Sequence, residues 1–407
     1  MVRDDMPSST ETDHTAATSR PVTRRRVLLG SAGLLTGIGV TGTASASSHD
    51  AEVYQTGSTW YATNGGTVYA GGSYRDAIQA AVDSLTDGRT TKEKVLIKNS
   101  GTFTATESLK SVRLDSYTVI DHNGTIFVED TGEDLIVPFE AENVQSIEIQ
   151  NLRVEGNPRY GLWIKSCSDV ALGTIEMSLY DTTDIGLGIR VDDSGGGGRT
   201  QGFSLEYASI EGAAHHAVET YGVDGVDIGT VETVDTDGCG LLLNDTTDAT
   251  VDAVDATRAD QGGGYAGFRC ANDCGPNIYL GELRAVDCGR GLFTVSGSHG
   301  ITVSNVSIES CESGALIQDT RNMTVDGGTI TNNVGEGIRI DSRSSDAHHY
   351  TRDVTVQNLQ IDNNDYGVYE TGPDTEENRI LNNSLCNNAT GIETYAATTE
   401  VSGNTFC

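Results

Sequence analysis

Cations are scarce in this chain, with 26 Lys and Arg against 59 Asp and Glu and a formal net charge of −33. Several of them nevertheless fall among aromatic and histidine residues in one stretch: Trp163, Lys165, Arg190, Asp192, His215, His216, Glu219, Tyr221 and Arg269. Guanidinium groups pair with carboxylates and flat rings stack on sugars, so this set suits an acidic sugar chain. In an elimination, Arg269 or Arg190 neutralises the uronate carboxylate and lowers the pKa of the adjacent C–H. His216, His215 or Tyr221 is then the base. Histidine is the side chain poised near neutral pH, and two are adjacent here. Trp163, Lys165, Glu219 and, further along, Arg339 are candidate substrate contacts. Hydrolysis would instead need two carboxylates flanking the bond, and Glu219 with Asp237 or Asp192 are the candidates. A non-enzymatic carbohydrate-binding surface is the third class the same residues allow.

The elements that position these side chains follow from a repeat. From about Asn143 the sequence falls into coils of roughly 22 to 31 residues, a period that signals a solenoid. Each coil opens with an alternating strand, such as 144–154, 301–308, 323–330 or 354–361. A polar turn follows, then Gly and a second short strand: Gly161-Leu162-Trp163-Ile164, Gly188-Ile189-Arg190-Val191, Gly267-Phe268-Arg269-Cys270, Gly337-Ile338-Arg339-Ile340. Strand side chains alternate, so the first and third residues after Gly point inward and the second and fourth outward. Stacked coils therefore carry one outward column of Trp163, Arg190, Glu219, Leu242, Arg269, Phe293, Leu316, Arg339, Tyr369 and Glu393. A second runs through Lys165, Asp192, Tyr221 and Asn244. Asn pairs such as Asn332-Asn333, Asn363-Asn364 and Asn387-Asn388 mark corners, because Asn tolerates the left-handed conformation a corner needs. The loop 193–200, with four consecutive glycines, reads as a flexible wall beside the early coils.

The two ends differ from the coils. Residues 1–46 read as a twin-arginine signal: Thr23-Arg24-Arg25-Arg26-Val27-Leu28-Leu29, a Gly-rich apolar stretch, and Ala44-Ser45-Ala46, with the mature chain starting near Ser47. The apolar run is too short to span a bilayer. Residues 47–134 read as an N-terminal cap and first coils, with an amphipathic helix at 74–85 lying over the open sheet edge and strands at 95–97 and 116–128. The solenoid proper occupies 135–407. A charge this negative repels nucleic acid and anionic membranes. It resembles the acidic surfaces of haloarchaeal proteins, so we expect the melting temperature to fall on desalting as screening is lost. A melting curve indifferent to salt would contradict that.

Coil pattern, corners and capping helix together resemble the pectate-lyase-like superfamily of right-handed parallel β-helices, over roughly 51–407. The resemblance implies an all-β solenoid with an N-terminal capping helix. It implies a secreted enzyme acting on a uronate-containing polysaccharide, a lyase with a glycoside hydrolase or epimerase as alternatives, and the chain is expected to be a monomer. In that superfamily's lyases calcium often neutralises the carboxylate, which would call on Asp192, Glu219 or Asp237. Ser298-His299-Gly300, Gly337-Ile338-Arg339-Ile340 and Thr236-Asp237-Gly238 also resemble polygalacturonase motifs. They are out of register, since His299 opens a coil and Asp341 replaces the lysine, so His299 reads as a corner residue. The register further places Cys288 against Cys311, and Cys386 against Cys407, about 4.8 Å apart and within disulfide reach.

Overall fold

The computed structural model describes residues 49–407 except 105–110, 130–135, 181–185, 261–263, 344–347 and 349. The arginine-led leader of 1–46 and the expected boundary at 134 lie outside the described residues. Alternating apolar residues build a coil of three sides. One side is the short post-glycine strand, as in Tyr160–Lys165, Leu187–Asp192 and Phe268–Ala271. The other two are halves of a long strand, as in Gln145–Gly156 and Ser168–Leu179. All stacking between coils is parallel, so equivalent residues form straight columns. Inside, Phe139, Leu162, Ile189, Val218, Leu241, Phe268 and Leu292 are neighbours in register. Each is fully buried, which stabilises by about 1.5–3 kcal/mol per side chain.

Two glycine sites show why the coil closes. At Gly314 a Cβ would stand 2.2 Å from the Gly337 carbonyl oxygen, so the chain can pass its neighbour only without a side chain. At Gly173, where the long strand bends, a Cβ would meet the Gln150 oxygen at 2.3 Å. Asn332, Asn363 and Asn387 adopt left-handed φ near 60° at their corners. Their successors form a buried ladder: the Cys311 amide donates to Asn333 Oδ1 at 2.9 Å, Asn333 N to Asn364 Oδ1 at 3.0 Å, and Asn364 N to Asn388 Oδ1 at 3.0 Å. Each first Asn turns the chain and each second one satisfies the neighbouring coil's backbone.

The N-terminal end is closed by an antiparallel meander, Ala51–Thr56, Thr59–Thr63 and Thr67–Gly71, followed by a helix over Tyr74–Asp83. Ser73 caps it by accepting from the Asp76 amide at 3.1 Å. Ala77, Ile78, Ala81, Val82 and Leu85 are buried, as their spacing requires. The coils themselves begin earlier than Asn143. Glu93–Ile97 already stacks on Thr118–His122, and Ser111–Leu114 on Val137–Glu142, giving about twelve turns. Those first turns lack the Gly signature: Pro138 stands where later coils carry glycine, which hid them from the repeat pattern.

Cys386 and Cys407 form a disulfide with Cα atoms 4.9 Å apart, stapling the last two coils. The intervening sequence separation is 21, so reducing it should destabilise the C-terminal coils by about 3 kcal/mol. Thermal unfolding with and without reductant, followed by hydrogen exchange at 379–406, checks this. Cys288 and Cys311 face one another as buried free thiols rather than as a bridge.

Candidate active site on the outer face

The post-glycine strands form one continuous sheet, and its outward column is the one the repeat dictates. Trp163 stacks on Arg190, Arg190 on Glu219, Glu219 on Leu242, Leu242 on Arg269 and Arg269 on Phe293. Lys165, Asp192, Tyr221 and Asn244 form the second column. Arg339 lies further up the first column.

The early part of this face is saturated with internal pairs. Arg190 donates to Asp192 Oδ2 and to Glu219 Oε2, each at 2.6 Å. Asp192 also accepts from Trp163 Nε1 at 3.0 Å and from the Ser194 amide and hydroxyl at 3.0 and 2.6 Å. Lys165 is held by Glu140 and Glu142 at 2.5 and 2.6 Å and lies over the Trp163 ring. Burial pushes the Glu219 carboxyl up, with Arg190 opposing. The loop 193–200 is tied rather than flexible. Asn143 donates to the Gly195 carbonyl at 2.8 Å, Ser166 to the Asp193 carbonyl at 2.9 Å, and Arg199 to Asp224 and Asp245 at 2.7 and 2.8 Å. The run of glycines permits close approach to the coils beneath instead of motion: a Cβ at Gly197 would meet Asn143 Oδ1 at 2.1 Å.

Two coils further on the pattern reverses. Leu242, Phe293, Leu316, Ala266, Ala271, Val295 and Cys239 make a buried apolar floor on the outside of the sheet. Arg269 lies on it, its guanidinium 5.1 Å from the Tyr265 ring centroid and 4.7 Å from that of Phe293. Among the described residues Arg269 has no carboxylate or hydrogen-bond partner, and its Nε is buried without one. Beside it His215, His216 and Tyr265 form an aromatic cluster, with centroids 4.0 Å apart for the histidines and 5.3 Å for His215 and Tyr265.

The two histidines differ. His216 is enclosed, and its Nδ1 accepts from the Cys239 amide at 2.8 Å, so it positions the turn. His215 is half-buried, with Nδ1 unpaired among the described residues. Burial, then the charges of Arg190 and Arg269, hold its pKa below the usual value of 6.5, so the ring is a neutral base at neutral pH. Burial raises the Tyr265 phenol, keeping it a proton donor. Tyr221 is exposed in the second column, on the other side of the Arg190–Glu219 column from His216. Tyr265 and the neighbouring Arg290 were invisible to the column pattern, because both stand just before a coil glycine rather than after it. An aromatic or arginine within two residues upstream of the glycine was the available signal.

Of the carboxylates proposed for a cation, Asp192 and Glu219 meet on the Arg190 guanidinium, which already neutralises them. Asp192 lies at the end of a post-glycine strand and already serves Arg190, Trp163 and Ser194. Asp237 lies in the turn preceding one, its amide bonded to the Ala213 carbonyl. Among the described residues no group of three His, Cys, Asp or Glu converges on a common point. This donor set does not fit calcium. His299 opens the strand His299–Glu309 next to the corner glycines and contributes nothing to the cluster.

The buried histidines carry a pH consequence. His215, His216 and His122 all bind a proton more weakly folded than unfolded, His122 with its pKa lowered to about 4 by burial. Stability is therefore complete above the ordinary histidine value and is lost as pH falls from about 6.5 towards the folded values. Denaturant midpoints measured between pH 7.5 and 4 should fall over that window; a flat profile would contradict the burial.

The fold and the comparisons define the class: the chain is a right-handed parallel β-helix protein. The family described as "Right handed beta helix region" matches residues 239–406. Among solved structures, the A-modules of the Azotobacter vinelandii mannuronan C-5 epimerases AlgE6 and AlgE4 are each 15% identical. They cover 82% and 81% of this chain and 95% and 96% of their own, with TM-scores of 0.58 and 0.59. The pre-mature gene product 12 of bacteriophage phi29 is 16% identical, covers 81% of this chain and 53% of its own, and has a TM-score of 0.54. No curated protein sequence matches the chain. Among the described residues no helix is long and apolar enough to cross a membrane.

Proposed function

We propose that the chain is an exported polysaccharide lyase that removes the α-proton of a uronate and cleaves the glycosidic bond by β-elimination. One observation carries this: Arg269, which has no carboxylate partner among the described residues, lies on Tyr265, which touches a neutral, half-buried His215. Arg269 would pair with the uronate carboxylate and stabilise the negative charge that spreads onto it as the C5 proton leaves. His215 would take that proton. The C4–O4 bond then breaks, C4=C5 forms, and Tyr265 protonates the departing glycosidic oxygen. Export by the leader of 1–46 belongs to the same reading.

C-5 epimerisation is the second reading, because two solved structures of this fold are named for it and it begins with the same proton removal. It must return a proton to the opposite face of the sugar. His215 and Tyr265 are in contact with each other, so no sugar ring fits between them, which favours a syn elimination, with H5 and O4 on one face of the sugar as in mannuronate or glucuronate. Incubation with pectate, alginate and other uronans in deuterated, salt-rich buffer separates the outcomes. Elimination gives unsaturated, ultraviolet-absorbing ends; epimerisation gives chains of unchanged length with deuterium at C5; hydrolysis gives saturated ends. No change in any uronan would move the chain to the carbohydrate-binding class.

A further inference from the structure

Arg269 is not alone on the apolar floor. Arg290, one coil further on, places its guanidinium 4.8 Å from the same Phe293 ring that Arg269 approaches at 4.7 Å. Neither forms an ion pair or a hydrogen bond among the described residues. This is in a chain of net charge −33 where Arg190, Arg199, Arg258 and Arg284 are all held by carboxylates. Asp260 and Glu312 act on Arg290 only through space, and Arg269 and Arg339 repel it. Burial, reinforced by those like charges, lowers the Arg290 pKa. Two half-buried guanidiniums fixed on one ring cost free energy in the empty protein, and that cost is relieved by anions.

Resting on the uronate reading above, we infer that Arg269 and Arg290 form a two-guanidinium clamp for carboxylates on consecutive sugars, which selects unbroken runs of uronate over isolated ones. The spacing supports this. Coils repeat every 4.8 Å or so, so a chain lying along the solenoid axis brings neighbouring sugars over neighbouring coils, and a glycosidic twist that turns both carboxylates to the sheet sets them against Arg269 and Arg290. Arg269 holds the sugar that reacts beside His215, and Arg290 holds its neighbour. The apolar floor of Leu242, Phe293 and Leu316 fixes both guanidiniums and keeps water from screening them. A single sulfate ester held by both arginines is the competing ligand, and the test separates it.

The test is calorimetric titration of the full chain carrying His215→Ala, so that the ligand is not consumed. Three probes are used: a short oligogalacturonate, the same oligomer with alternate carboxyls reduced to alcohols, and a sulfated neutral oligosaccharide of equal length. Adding Arg290→Gln should weaken the fully charged oligomer about 10- to 100-fold, the range for losing a charged hydrogen-bonded pair, and leave the alternating oligomer unchanged. Arg290→Lys, which keeps the charge without the planar fork, should fall between, and unchanged circular dichroism excludes a folding defect. Equal weakening of both oligomers, or of neither, would overturn the clamp while leaving the uronate reading standing. Tighter binding of the sulfated probe, lost in Arg290→Gln, would overturn it in favour of a sulfate site. Failure of the Arg290-intact chain to bind either carboxylate-bearing oligomer would overturn the uronate reading itself.

Discussion

Replacing Arg269 by alanine should lower kcat/KM on a uronan about 100- to 1000-fold without unfolding the protein. In the elimination proposed above it would remove the charge that stabilises the carbanion, and loss of one such pre-positioned group costs about 3–4 kcal/mol in the transition state. Arg269→Lys should retain a part of the rate, since a point charge replaces a planar fork stacked on Tyr265 and Phe293. The contrast with Arg190 is the sharper part of the expectation. Arg190 lies between Asp192 and Glu219, both buried, and removing it leaves two carboxylates inside the protein without a cation. Arg190→Ala should therefore destabilise the fold by about 3–5 kcal/mol, visible as a lowered denaturation midpoint. Steady-state kinetics and urea unfolding of the two variants, side by side, distinguish a chemical role from a structural one. A variant at 269 that unfolds but keeps its specific activity would reverse the assignment.

His215→Ala should reduce kcat about 100- to 10,000-fold, the range for a general base, with KM little changed because the ring does not hold the carboxylate. His216→Ala should act through stability instead, since its Nδ1 accepts from the Cys239 amide inside the turn. The pH profile gives a second signature. A histidine base works only when neutral, and burial with two nearby arginines holds the His215 pKa below the usual histidine value. The acidic limb of kcat/KM should lie below that value and disappear in His215→Gln. A limb above the ordinary histidine value, or an unchanged limb in the variant, would exclude His215 as the base.

How far these assignments were legible beforehand differs between fold and site. Backbone register is a periodic property, and period two along each strand with period one coil between strands fixed every outward position from Trp163 to Glu393. The first coils, in 47–134, were placed by their strand signals and not by the repeat, because Pro138 stands where later coils carry glycine. At the site, periodicity says which way a side chain points but not whether a carboxylate from the next coil has already claimed it. Arg190 and Arg269 occupy equivalent positions in the sequence pattern. One faces Glu219 across a coil, and the other faces Leu242 below and Phe293 above. That difference in neighbours moves the proposed chemistry from the early coils to those around His215, Tyr265 and Arg269. Tyr265 was out of reach of the pattern altogether, because it comes from the turn that leads into a strand. Its backbone amide is held there by Asp260.

The most direct test of the account is the product formed from a uronan by the full chain, compared with that formed by the Arg269→Ala variant, in deuterated buffer. The wild-type chain should yield new chain ends bearing a C4=C5 double bond, and the variant should not. Saturated ends, or unsaturated ends formed equally well without Arg269, would contradict it.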